Sequence, residues 1–208
     1  MTADRPILVG LTGSIGMGKS ETAKMFARLS IPVYDADAAV HALYEPGGAA
    51  VAAIAEAFPG AVKNNRVDRD ALARQIGGNP AEFAKLESIV HPLVGIAQRE
   101  FIEAAQAKGA KLVVLDIPLL YETGADARMD AVVVVSARQD LQRERVLSRE
   151  GMTEEKLDHI LARQMSDAEK RAKAHYIVET DKGRVQAFEQ VQKIVAELYR
   201  RRAENQHA

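Results

Sequence analysis

The sequence predicts an α/β fold, a parallel sheet sandwiched by helices, and three features of the chain carry that prediction. Leu112 to Leu115 and Ala131 to Val135 are continuous apolar, mostly β-branched runs, as expected of central strands covered on both faces. Ile7 to Thr12 is a third short apolar run that ends at a glycine-rich turn. Between and after these runs, apolar residues recur at helical spacing, so strands alternate with helices and a parallel sheet is the natural outcome.

In chain order, a helix is expected from Lys19, because Ala23, Phe26 and Leu29 fall on one face. Ile31 to Tyr34 reads as a second strand ending at Asp35. Helical segments fill much of 37–107, with Val51, Ile54, Ala55 and Phe58 on one face, and Leu93, Ile96, Ala97, Phe101 and Ala104 on another. Asn79-Pro80 supplies a cap and a first-turn proline, and Pro92 is expected to open a further helix after His91. From Ser136 to Met165 the chain is rich in arginine and glutamate, with Gly151 dividing two helical stretches. Ser166 to Glu169 fits a capping box. Tyr176 to Val178 reads as a last strand, and Val185, Phe188, Val191, Val195 and Leu198 as the stripe of a closing helix that frays over Arg200 to Ala208. There is no internal repeat.

At 208 residues the chain suits one domain with sub-elements. The expected boundaries are a core of about 5–36, 109–136 and 172–202, a helical region of about 37–108, and a further helical segment of about 137–166, which the family resemblance given below makes a lid. Lys and Arg number 28 against 29 acidic residues, so any polyanion site must be local, and neither nucleic acid nor membrane is an expected partner. The absence of cysteine excludes disulfides and thiol chemistry and favours a reducing cytoplasm. The apolar run near the start is too short for a signal sequence or a bilayer span.

Gly13-Ser14-Ile15-Gly16-Met17-Gly18-Lys19-Ser20 matches G-x-x-x-x-G-K-[ST] at every fixed position, after a strand and before a helix. Glycines let the backbone take positive φ and approach an anion closely, so that successive N–H groups face phosphate oxygens. Lys19 is placed to reach the β and γ phosphates and Ser20 to hold Mg²⁺, which makes the sheet one of the P-loop NTPase type and ATP the expected phosphoryl donor.

Asp35 and Asp37 fall where the second strand ends, the edge at which open α/β folds bind ligands. Either could serve Mg²⁺ or accept a hydroxyl proton, and one of the two is expected simply to cap the next helix. Asp116 closes an apolar strand, the arrangement that delivers a carboxylate to the metal beside a phosphate loop. Arg138, Arg143, Arg145 and Arg149 lie in one segment, with Arg163 further on; Arg145 and Arg149, four apart, are expected to share a helix face toward phosphate charge. Taken singly, each arginine could instead pair with glutamates such as Glu144 and Glu150. His91 reads as a polar residue before a helix start, and Tyr121 and Glu122 as turn residues.

Together these residues resemble the dephospho-CoA kinase family across nearly the whole chain. Leu11 to Ser20 is similar to that family's phosphate loop and Val33-Tyr34-Asp35-Ala36-Asp37 to its Asp-Ala-Asp signature. His91-Pro92-Leu93-Val94 resembles its His-Pro motif and Pro118-Leu119-Leu120-Tyr121-Glu122 its Pro-Leu-Leu-aromatic-Glu motif. Gln142, Arg145 and Arg149 are similar to its mobile lid, and Gln164 to the glutamine that follows it. The chain departs from the family at Glu179-Thr180, where Asp-Asn is usual before a loop that commonly faces the adenine.

The resemblance implies transfer of the γ-phosphoryl of ATP to the 3′-hydroxyl of dephospho-CoA, with Mg²⁺, by a protein expected to act as a monomer. It implies catalytic roles for Asp37, Lys19 and Arg145, and ATP contacts along Gly13 to Ser20, at Glu21, and at Arg145 and Arg149. Acceptor contacts are implied for Asp35, Asp37, His91, Pro118, Leu119, Leu120 and Glu122, and metal contacts for Ser20 and Asp116. Two other readings stand beside it. A different small-molecule or nucleoside monophosphate kinase would share loop and lid and differ at the acceptor. A GTPase switch would need a guanine-reading Asn/Thr-Lys-x-Asp motif and an Asp-x-x-Gly switch, and neither occurs.

Overall fold

The computed structural model describes residues 5–206. Seven strands and nine helices follow one another among these residues. They are β1 (Ile7–Thr12), α1 (Lys19–Arg28), β2 (Val33–Asp35), α2 (Ala36–Tyr44), α3 (Val51–Ala57), β3 (Val62–Lys63), β4 (Arg66–Val67), α4 (Arg69–Ile76) and α5 (Pro80–Ala107). After them come β5 (Leu112–Asp116), β6 (Ala131–Ser136), α6 (Gln139–Leu147), α7 (Glu154–Leu161), α8 (Asp167–Lys173), β7 (Tyr176–Glu179) and α9 (Arg184–Gln206). A short 3-10 helix, Ala125–Arg128, precedes β6.

The chain divides into two compact units. The first takes in the residues up to Tyr34 and from Ala105 onward, and contains most of a five-stranded sheet of order β2-β5-β1-β6-β7. β1 lies between β5 and β6 and pairs parallel to both, with Leu11 opposite Asp116 on one side and Val133 on the other. All of β5 and β6 is buried, which is why their sequences run apolar without alternation. One face packs Val9, Leu11, Val114, Val133 and Val135 against Phe26 of α1 and Val191, Ile194 and Leu198 of α9. The other packs Val132 and Val134 against Leu120 and Tyr121. Because β1 is central, the loop leaving its carboxyl end emerges in the middle of the sheet edge.

The second unit, Asp35–Ala104, has its own core of Tyr44, Val51, Ile54, Phe58, Val67, Leu72 and Val90. Here the structure departs from the expected run of helices. β3 and β4 form an antiparallel hairpin, turning at Asn64 and Asn65 with φ of 50° and 58°. Two consecutive left-handed residues are what a tight two-residue hairpin turn needs, and asparagine tolerates them best after glycine.

Pro92 does not open a helix either. It lies inside the 28-residue α5, where it removes one backbone donor. Ile89, Val90, Leu93 and Val94 on both sides of it pack on the unit's core, and their burial outweighs the single lost bond. In α9, Val185 is 73% exposed and outside the stripe, whereas Ala187 and Ile194 are buried. The helix continues through the arginines to Gln206 rather than fraying at Arg200; residues 207–208 lie outside the described part.

Phe58 is 2% exposed at the centre of the second unit, with the Lys85 ammonium 4.8 Å from its ring centroid. Phe58→Ala is expected to destabilise by about 3–5 kcal/mol. Chemical denaturation followed by circular dichroism tests this, and an unchanged midpoint would contradict the assignment of Phe58 to a packed core.

Candidate active site

The loop between β1 and α1 is built by steric necessity. A Cβ on Gly13 would come 2.6 Å from the Val135 carbonyl oxygen, so no side chain fits beside β6. Gly16 has φ +79° and a Cβ there would meet Val146 of α6 at 2.6 Å. Gly18, at φ +97°, is the left-handed residue on which α1 begins. α2, α4, α7 and α8 each start on a side chain that caps them, but α1 starts on this glycine and has no side-chain cap. Its first-turn N–H groups and positive dipole end therefore face outward from a loop already shaped for an anion.

Lys19 and Asp116 meet at this loop. The Lys19 ammonium is ion-paired and hydrogen-bonded to the Asp116 carboxylate at the end of β5, and Asp116 is only 4% exposed. Register places them together: Asp116 pairs with Leu11 of β1, eight residues before Lys19. Ser20 is exposed on the first turn of α1. A serine hydroxyl and a carboxylate are hard oxygen donors of the kind Mg²⁺ takes alongside phosphate oxygens and water, so the chemistry of the donor set fits the expected ion. Glu21 is half exposed and pairs with Lys24 at 2.7 Å and Arg184 at 3.4 Å. The Lys24 partner holds its carboxyl below the usual range.

α6 and the segment after it reach back onto the loop. Gln142 is buried, and its Nε2 donates to the Ile15 carbonyl at 2.7 Å, while Gln164 Oε1 accepts from the Ile15 N–H at 3.2 Å. Arg145 donates through Nη1 to Thr180 Oγ1 at 2.9 Å, and through Nη2 to the Thr180 carbonyl at 2.9 Å. Arg143 pairs with Glu154 and Asp158 of α7, and so ties α6 to α7. Arg138 pairs with Asp140 at 3.2 Å. Arg149 does not share a face with Arg145: α6 ends at Leu147, and Arg149 is exposed in the turn that follows. A short helix cannot carry an i, i+4 pair past its own end.

The turn after β5 is tied to the same region. Thr12 Oγ1 donates to the Pro118 carbonyl at 2.9 Å, and Leu119 is 40% exposed. Leu120 has no exposed surface and packs against Gly10, so its side chain belongs to the core and not to a ligand surface. Tyr121 is likewise 8% exposed rather than a surface turn residue; burial first, and the Asp126 charge second, push its phenol up to about 12.

Glu122 joins this turn to α8 and the residues just before it. Its Oε1 accepts from the Met165 N–H at 2.8 Å and lies 2.9 Å from the ammonium of Lys170, which has no exposed surface. The approach of Lys170 is close but oblique, an ion pair more than a directed hydrogen bond. Burial would raise the Glu122 carboxyl, but Lys170 and the backbone donors outweigh it and hold it below its ordinary value of 4.5. Lys170 was not visible as a site residue from its neighbours in the chain; only the capping box four residues upstream marks its helix.

In the second unit, Asp35 is the N-cap of α2, its Oδ1 accepting from the Ala38 N–H at 2.9 Å. Asp37 stands exposed in the first turn of the same helix, where the dipole favours a carboxylate. His91 is not at a helix start. It sits mid-α5, its side chain 67% exposed and 3.6 Å from Glu87 one turn earlier.

Comparison with known proteins bears on this arrangement directly. The family model described as Dephospho-CoA kinase matches residues 7–186. The chain belongs to that family. A dephospho-CoA kinase of Bradyrhizobium diazoefficiens is 53% identical over 191 residues, covering 92% of this chain and 95% of that protein. One of Rhizobium etli is 53% identical over 190 residues, covering 91% and 93%. Among solved structures, a Thermus thermophilus protein is 34% identical with a TM-score of 0.80, covering 93% of this chain and 98% of its own. The dephospho-CoA kinase of Campylobacter jejuni, at 21% identity and a TM-score of 0.62 over 91% and 96%, shares the fold. Membership in the family makes the chain an ATP-dependent kinase. No helix among the described residues is long and apolar enough to cross a membrane.

Lys170→Met would strand the Glu122 carboxylate, and breaking a buried pair in this way is expected to cost about 3 kcal/mol. Because the Glu122 pKa is depressed in the folded protein, its contribution is complete above 4.5 and fades as pH falls through the folded value. The stability gap between wild type and Lys170→Met should therefore stay constant near neutrality and narrow in acid, as read by denaturation at stepped pH. A gap that is absent, or that widens in acid, would contradict the pairing.

Proposed function

We propose that this protein transfers the γ-phosphoryl of ATP to the 3′-hydroxyl of dephospho-CoA, giving CoA and ADP, the last step of coenzyme A biosynthesis. The observation that carries the proposal is the family match over 7–186, which contains every residue of the candidate site. The loop Gly13 to Ser20 supplies the phosphate cradle that such a reaction requires.

In this reading the loop amides and Lys19 hold the β and γ phosphates, with Lys19 leaving Asp116 for the nucleotide. Ser20 and Asp116 would hold Mg²⁺, which when bound neutralises phosphate charge. Asp37, exposed and unencumbered by the capping duty that Asp35 performs, accepts or orients the proton of the attacking hydroxyl. Arg145 neutralises equatorial oxygens of the transferring group, and Arg149, free of the helix, reaches the nucleotide from the turn. Asp35, His91, Pro118 and Leu119 contribute to the acceptor side, and Glu122 positions the lid through Lys170 and Met165. The 137–166 lid closes over the reactants and excludes water, which would otherwise compete as acceptor. The protein works as a monomer in the cytoplasm.

A coupled assay of ADP release with and without dephospho-CoA tests the activity, with the product's 3′-phosphate confirmed by mass. Acceptor-dependent release is expected; release with another nucleoside or sugar but not with dephospho-CoA would reassign the acceptor. Lys19→Ala and Asp37→Asn should each lower kcat by about 100-fold or more while circular dichroism shows a folded protein. Near-normal turnover by folded Asp37→Asn would remove it from catalysis. Arg145→Lys should also lower kcat, since an ammonium cannot reproduce the bidentate fork.

A further inference from the structure

A loop that turns successive N–H groups toward an anion leaves its carbonyls facing the protein, where each needs a donor. Three consecutive carbonyls of the phosphate loop have one. Ile15 O accepts from Gln142 Nε2 at 2.7 Å, Gly16 O from Arg145 Nη1 at 3.4 Å, and Met17 O from Thr180 Oγ1 at 2.7 Å. Two of the donors belong to α6, and the third stands just past β7, at the carboxyl edge of the sheet.

Thr180 is bonded through every polar group it has, hydroxyl, carbonyl and N–H alike. Its hydroxyl proton goes to Met17 O, and the same oxygen accepts from Arg145 Nη1 at 2.9 Å. Its carbonyl accepts from Arg145 Nη2, and its N–H donates to the Ser136 carbonyl at 2.9 Å, which fixes its place at the end of β6. A Cβ on Gly18 would lie 3.2 Å from both Thr180 Cγ2 and Oγ1, so the side chain closes directly over the glycine that starts α1. One hydroxyl thus spans the lid arginine and the phosphate loop. Valine has the same shape and would leave both contacts unmade.

We propose that Thr180 is a positioning residue for ATP: its hydroxyl sets the Arg145 guanidinium against the phosphate loop and holds the Met17 peptide in its anion-binding orientation. It touches no reacting atom in this role and acts through Arg145 and the loop. The proposal rests on the kinase reading above but is separable from it, because its readout is ATP binding without any acceptor.

The experiment is calorimetric titration of MgATP into wild type, Thr180→Val, Thr180→Ser and Arg145→Ala, and into the Thr180→Val/Arg145→Ala double variant. Steady-state KM for each substrate is measured alongside. Losing a hydrogen bond to a charged group is expected to weaken ATP binding by about tenfold in Thr180→Val. Thr180→Ser should return it to near the wild-type value, and KM for the acceptor should stay within about twofold. In the Arg145→Ala background the valine substitution should cost less than about threefold, the non-additivity of two groups that act together. Unchanged ATP affinity in Thr180→Val would overturn the proposal, and so would equal weakening with and without Arg145 or equal rises in both KM values. Thr180→Ala serves as the second hydroxyl-free variant if valine does not fold. Wild type that binds MgATP but never phosphorylates dephospho-CoA would defeat the functional reading and leave the Thr180 comparison intact.

Discussion

The phosphate loop can exist only where the backbone is allowed to do what side chains normally prevent, and much of the first unit serves that condition. Gly13 must pass the Val135 carbonyl at a distance that excludes a Cβ, and Gly16 and Gly18 must hold positive φ. Met17 anchors the segment in the core, but the segment's peptide groups still need partners. Its shape is imposed from outside, by β5 and β6 gripping β1 on either side, and by Gln142, Gln164, Arg145 and Thr180 bonded to its peptide groups. Those four side chains come from α6, the turn between α7 and α8, and the segment past β7, so the loop is braced by parts far apart in the chain.

Charge is handled by the same economy of place. Lys19 would be costly to leave unpaired beside a largely buried strand end, and Asp116 costly to bury alone; each meets the other's need. Lys170 and Glu122 follow the same rule where α8 meets the turn after β5. There a fully buried ammonium and a carboxylate that also accepts from Met165 join the β5 turn to α8. That contact gives Glu122 a mechanical meaning its sequence neighbourhood did not suggest: it anchors one end of the segment that carries Arg145 and Gln164.

Legibility varied with how local the determining physics was. β1, β5, β6 and the capping box at Ser166 were readable because the signal lies in adjacent residues, whether an uninterrupted apolar run or a side chain bonding three positions on. The hairpin at 62–67 was missed because two-residue strands have no periodicity to detect, and only Asn64-Asn65 marked the turn. Pro92 misled for the opposite reason. Its local rule was overridden by burial of the apolar residues around it, which keeps α5 continuous and leaves His91 mid-helix. Arg149 was assigned to a helix that stops two residues before it.

By itself the sequence determined the class of fold and the chemistry of the loop. Strand hydrophobicity and the fixed glycines, lysine and serine are properties of neighbouring residues, and they constrain the backbone wherever it goes. Tertiary structure alone decided which distant groups complete that loop. Thr180 reaches Met17 and Arg145 through the pairing of β7 with β6, and Lys170 reaches Glu122 from α8 across to the turn after β5. Contacts of that kind depend on how elements pack after they form, and no spacing along the chain encodes them.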